Sequence, residues 1–190
     1  MKQYIVGLLL FFPFMAFAQI VKPGESFTDV YTFDGKVVFL KEIQLMDNLV
    51  EQNYLVVKNW MKKNYTGDPF NSSVDFKNKK HKAHAVSRVE LLLPENSKGM
   101  RESIIMKYTF DAFIMDDICV MEITNVSFLN KPKVNGNTLP DKIKAEDMIT
   151  GLALTKADEN EETRRNTKKS TLFFLNQLSD SLQDELKKER

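Results

Sequence analysis

Between Ser73 and Phe128 the sequence carries four runs of strand character: Ser73 to Lys77, Lys82 to Leu93, Arg101 to Phe113 and Ile118 to Phe128. The breaks between them, Asn78-Lys79-Lys80, Pro94 to Gly99 and Met115-Asp116-Asp117, have hairpin length and turn chemistry. Consecutive runs are therefore expected to pair antiparallel in one sheet. In the second run Ala83, Ala85, Ser87, Val89 and Leu91 fall on one side and His84, Val86, Arg88, Glu90 and Leu92 on the other. Such alternation suits a sheet with one face covered and the other wet.

Upstream, Lys36 to Leu45 reads as a further strand, with Val37, Phe39, Lys41, Ile43 and Leu45 on one face. A shorter strand is expected at Phe27 to Phe33, between Pro23-Gly24 and Asp34-Gly35. Leu49, Val50, Tyr54, Val57, Trp60 and Met61 then recur at helical spacing, which predicts a helix over roughly residues 48 to 64. Asn48 and Glu51 form a capping-box start, and Gly67 to Pro69 a stop. Trp60 lies on the apolar stripe and reads as core.

Downstream, Asn130 to Pro140 is linker-like, with room for a short helix over Asp141 to Gly151. A charged stretch, Lys156 to Lys169, leads into Ser170 to Arg190, where Leu172, Leu175, Leu178, Leu182 and Leu186 mark a long amphipathic helix. The simplest use of that stripe is packing on the chain's own sheet, and a coiled-coil or partner-binding helix is the alternative. The expected class is α+β, an antiparallel β-sheet packed by helices in the order β-α-β-β-β-β-α.

The chain starts with Lys2, an apolar run from Ile5 to Phe17, and Ala16-Phe17-Ala18 before Gln19. This is the layout of a cleavable secretory signal peptide, cut after Ala18, and the run is shorter than the about 20 apolar residues a spanning helix needs. No cysteine follows the run to carry a lipid anchor, so no stable membrane insertion is expected after cleavage and the mature protein is placed in the periplasm or secreted. The expected organisation is a signal peptide at 1–18, an N-terminal lead-in segment at 19–35, an α+β domain at 36–130, a linker at 131–158 and the C-terminal helix at 159–190. Removing Lys2 leaves 26 basic residues against 26 acidic ones, so no global field draws nucleic acid. With Cys119 the one cysteine, no internal disulfide can form and stability must come from the core. Cys119 lies in the apolar run Ile118 to Met121 and reads as a buried small hydrophobe.

Gly35-Lys36-Val37-Val38-Phe39, Asn59-Trp60-Met61, Tyr108-Thr109-Phe110 and Ile123-Thr124-Asn125-Val126 carry a resemblance over roughly residues 33 to 130. The chain resembles the exported bacterial domain of unknown function 4468 family, whose fold is similar to that of the TATA-binding protein (TBP). The resemblance implies a TBP-like fold and no activity, because fold alone does not carry function. The clustered basic face and duplicated half that DNA binding by such a fold would require are not in the sequence.

No catalytic, cofactor-binding or metal-binding set emerges. His81 and His84 have a spacing that suits ligands on a helix, but in a strand they point to opposite faces. Lys77, Lys79, Lys80, His81 and Lys82 form a basic hairpin tip, read as a solvated turn, and Asp116-Asp117 reads as a turn former. G-x-S-x-G, a Gly-rich phosphate loop and H-E-x-x-H are missing from the sequence. The expected function is that of a non-enzymatic envelope protein, a binding or interaction module for another envelope protein or a surface component. The alternative is a periplasmic carrier of a small apolar ligand, lined by Phe39, Met61, Met106, Phe110, Phe113, Met121 and Phe128.

Overall fold

A computed structural model of the chain describes residues 20–45, 49–67, 71–129 and 142–188. The expected signal peptide, Asn48 of the capping box, the Pro69 stop and linker residues 130–141 lie outside these.

The described strands are β1 (Ile20–Val21), β2 (Thr32–Phe33), β3 (Lys36–Val37), β4 (Phe39–Gln44), β5 (Ser72–Lys77), β6 (Lys82–Leu92), β7 (Ser103–Ile114), β8 (Ile118–Leu129) and β9 (Lys142–Lys144). The helices are α1 (Val50–Tyr65), α2 (Ala145–Met148), α3 (Gly151–Leu154) and α4 (Glu161–Lys188). In space the large sheet runs β1-β4-β8-β7-β6-β5, with β9 beside the end of β8. The long elements β4, α1, β5, β6, β7, β8 and α4 follow the order expected from the sequence. All their neighbouring strands pair antiparallel, whereas two-residue β1 adds a parallel pairing to β4 that the periodicity did not signal.

The alternation along the strands decides which face is covered. Phe39, Ile43, Ala83, Ala85, Met106, Phe110, Met121, Ile123 and Phe128 point to one side and join one core with Trp60 and Met61 of α1 and Leu175 and Leu182 of α4. Tyr54, Met148 and Ile149 belong to the same core, so the helical layer lies on a single face of the sheet. Trp60 is buried, as expected, and its indole donates to Ser181 Oγ at 3.1 Å. The α4 leucine stripe is likewise spent on the chain's own core.

Several local expectations need correction. The strand expected over Lys36 to Leu45 breaks at Val38, because Asp34 (φ 48°) and Gly35 (φ 69°) form a two-residue turn that pairs β3 with β2. Positive φ at both central residues is what a hairpin turn of that length requires. Phe27 to Phe33 is strand only at its last two residues. Phe27 and Val30 instead turn into the core, and the Phe27 backbone is held at both polar atoms by the Asn176 side chain (2.7 and 3.0 Å). The N-cap of α1 is Leu49 with no side-chain cap, and Glu51 pairs with His81 at 2.8 Å. Gly151, expected to end a short helix, opens α3, whose N-cap Thr150 accepts from the Ala153 N–H. The charged stretch before Ser170 belongs to α4 from Glu161 onward.

Candidate interaction face

The second face of the sheet carries the side chains that alternate away from the core. Cross-strand register lines them up in rows. One row reads Leu40, Glu122, Asp111, His84, Asp75 from β4 to β5. Its centre is Asp111, whose Oδ1 accepts from Lys82 Nζ at 2.7 Å and lies 2.9 Å from His84 Nδ1. Lys82 also sits over the Phe113 ring, 4.4 Å from its centroid, so its stem covers apolar surface while its ammonium reaches the acid. Asp111 is only 7 % exposed although no described helix covers this face; charged partners are what make such shielding tolerable. Beside it, burial pushes the Glu122 carboxyl above its ordinary range and Asp111 adds to the rise, with Lys82 opposing both.

A second row reads Ser73, Val86, Thr109, Thr124. Here β8 bulges: the register with β7 shifts between Lys107 and Thr109, and Asn125 takes a left-handed backbone (φ 53°), which Asn tolerates better than most residues. Its side-chain amide donates to Thr109 Oγ1 at 3.3 Å. Beyond the bulge Val126 and Phe128 point to the core, and Ser127 and Leu129 continue the open face.

The structure separates the two histidines. His84 stands on the open face, and His81 lies in the turn before β6 with a left-handed backbone (φ 45°), 2.8 Å from Glu51 and edge-on to Tyr54. Of the basic hairpin tip, Lys77, Lys79 and Lys80 are exposed and Lys82 is engaged by Asp111. Asp116 and Asp117 form the exposed β7–β8 turn, and the Asp117 carbonyl accepts from Gln44 and the Leu45 backbone. Cys119 is fully buried on the core side, and burial pushes its thiol up to about 12. No thiolate is therefore available to act with His84 and Asp111. Among the described residues no group of three or more His, Cys, Asp or Glu side chains is placed to hold a metal.

Of the seven apolar residues considered for a carrier site, Phe39, Met61, Met106, Phe110, Met121 and Phe128 pack into the core, while Phe113 stands on the opposite face beneath Lys82. Four cavities lined by described residues are bordered by none of the seven.

No protein-family model matches the chain. No curated protein matches it either. A TBP-like protein from Parabacteroides distasonis ATCC 8503 superposes with a TM-score of 0.72 at 21 % identity, over 84 % of this chain and 97 % of that one. The chain has the TBP-like fold. A DUF4468 family protein from Bacteroides ovatus ATCC 8483 shares it, with a TM-score of 0.66 at 20 % identity over 83 % of this chain and 90 % of that one. The resemblance drawn from the residue patterns is thus met in three dimensions, at the level of fold. The TBP-like fold puts the helices on one side of the sheet and leaves the Asp111 row on the other.

Asp111, Glu122 and Ser127 were not singled out from the sequence. The signal that could have found the first two is an acid at an alternate position of an otherwise apolar strand, as in Thr109-Phe110-Asp111-Ala112-Phe113 and Val120-Met121-Glu122-Ile123-Thr124.

Proposed function

We propose that this protein is an exported, non-enzymatic interaction module that docks another macromolecule of the bacterial envelope on the open face of its sheet. The observation that carries the reading is the one-sided cover of the sheet: every buried helical side chain in the core cluster serves one face, and the other presents charged groups already fixed by one another. Preorganised charges of both signs favour a polar partner surface, since their geometry cost is met before binding. The same mixture disfavours a nucleic acid, as does the balance of 26 basic and 26 acidic residues left by removing Lys2. His84 and Asp111 make a hydrogen-bonded pair without a placed nucleophile, so the pair reads as an orienting contact.

Export rests on residues 1–18, with cleavage after Ala18 and a periplasmic or secreted mature chain. No described helix is long and apolar enough to cross a membrane.

The test is capture from envelope extract with the wild type and with Thr124→Arg, which plants a long cation in the middle of the face. Gln177→Arg, at an exposed position of α4, is the control. A partner retained by wild type and control but lost by Thr124→Arg is expected. Repeated recovery of nothing, or equal recovery by all three, would overturn the reading.

A further inference from the structure

Two residues beyond the bulge, the open face changes character. The next row reads Asn71, Arg88, Lys107, Ser127, Lys144: Arg88 pairs with Lys107, Lys107 with Ser127, and Ser127 with Lys144, while the Arg88 N–H bonds the Asn71 carbonyl. Lys142 stands two positions along β9 on the same face, opposite Leu129. Like charges placed directly across a strand pair repel, and the Arg88 guanidinium is already held, its Nε donating to Asn71 Oδ1 at 2.6 Å. Among the described residues the lysines of this row are not neutralised. Lys82, Lys41 and Lys168 each reach an aspartate, but the ammonium groups of Lys107, Lys142 and Lys144 form no ion pair or hydrogen bond among the described residues. Glu90, two residues from Arg88 and across from Ile105, is an acidic residue at this end of the face and is itself engaged.

A second observation points the same way. Ser127 is 3 % exposed and its hydroxyl, shielded from solvent, has no hydrogen-bond partner. An unsatisfied buried hydroxyl is costly, and this one lies in register between Lys107 and Lys144. With strands about 4.8 Å apart, Lys107 and Lys144 flank it at a backbone separation of about 9–10 Å, within which both flexible stems can converge. On the β5 side of Lys107 a cavity of about 290 Å³ is bordered by Asn71, Ser73, Val86, Arg88, Lys107 and Leu129, and not by Ser127 or Lys144.

We propose that Lys107, Ser127 and Lys144 form a binding site for a tetrahedral oxyanion, a phosphate or sulfate group. Three donors from three adjacent strands meet three oxygens, with Arg88 closing the side towards β5. The ligand oxygen that satisfies Ser127 passes between the two lysine stems. The proposal rests on the open face being the working surface and names the chemistry of one end of it.

The test is titration of the isotope-labelled mature protein with inorganic phosphate and with sulfate, read by backbone amide NMR. A parallel arm sediments the protein with phosphatidylglycerol vesicles and with phosphatidylcholine vesicles. Saturable shifts at residues 107, 127 and 144 are expected, and Lys107→Gln with Lys144→Gln should weaken binding by roughly tenfold or more, because two charge-assisted contacts are lost. Ser127→Ala, which keeps every charge, should weaken it severalfold while the protein stays folded. Phosphatidylglycerol binding that free phosphate competes away would place the group on a lipid, and shifts without vesicle binding would place it on a soluble ligand. Indifference to Ser127→Ala would mean non-specific attraction by charge and would overturn the site, as would no saturable shift and no vesicle binding. Loss of phosphate binding with the envelope partner still retained would sink this proposal and spare the docking reading.

Discussion

Glu122 shows how one residue reports on the open face. Burial comes first among the causes that raise its carboxyl, followed by Asp111. A raised folded value means that the folded chain holds this proton more tightly than the unfolded chain. The associated stability is present at low pH and is lost as pH climbs from the ordinary carboxylate value of 4.5 through the raised one. Glu122→Gln removes that titration. Urea unfolding should give it a higher midpoint than wild type at pH 7 and nearly the same midpoint near pH 4. An equal difference at both pH values would mean that the charge is not what strains the site. Lys41 marks the opposite limit of residue-scale reading. Alternation put it correctly on the covered face, but nothing local says how a lysine survives there. Its ammonium meets Ser179 Oγ at 3.0 Å and Asp180 at 3.5 Å, both on α4 and far along the chain. Long-range partners of this kind are invisible to any window of sequence.

At the scale of elements, legibility followed apolar periodicity and failed where buried positions are polar. The stripe from Leu172 to Leu186 announced α4, yet its first turns bury Arg164, Asn166, Thr167 and Ser170 and so read as a charged connection. Arg164 is held there by Asp158 and the Lys156 carbonyl. The β2–β3 hairpin was hidden for another reason: each strand is two residues long, too short for alternation to show, although Asp34-Gly35 gave the turn. Because α4 is the lid of the core, its stripe sets the stability of the whole sheet. Leu175→Ala should cost about 2–5 kcal/mol, the range for a fully buried leucine, measured as the loss in unfolding free energy. Leu152→Ala, at a side chain 80 % exposed, should stay within about 0.5 kcal/mol. Similar small losses for both would mean that α4 is not docked on the sheet in solution and would return its stripe to a partner.

For the molecule as a whole, the arrangement of the sheet bears on the proposed export. Ile20 and Val21 form the parallel edge strand β1 against Leu40 and Lys41, so one residue, Gln19, separates the expected cleavage point after Ala18 from a paired strand. A peptidase needs an accessible, extended segment, and β1 offers it only before it pairs with β4. Cleavage is therefore expected before folding completes, and β1 then covers the β4 edge at Leu40 and Lys41. Without an internal disulfide to hold intermediates, a chain exported as proposed relies on its core. Intact-mass measurement of the protein recovered from periplasm and culture medium should give the mass of residues 19–190 in both. The mass of the full chain, found with the membrane fraction, would show that the leader is kept as an anchor and that β1 folds within a few residues of the bilayer. The open face would then be confined to partners at the membrane surface.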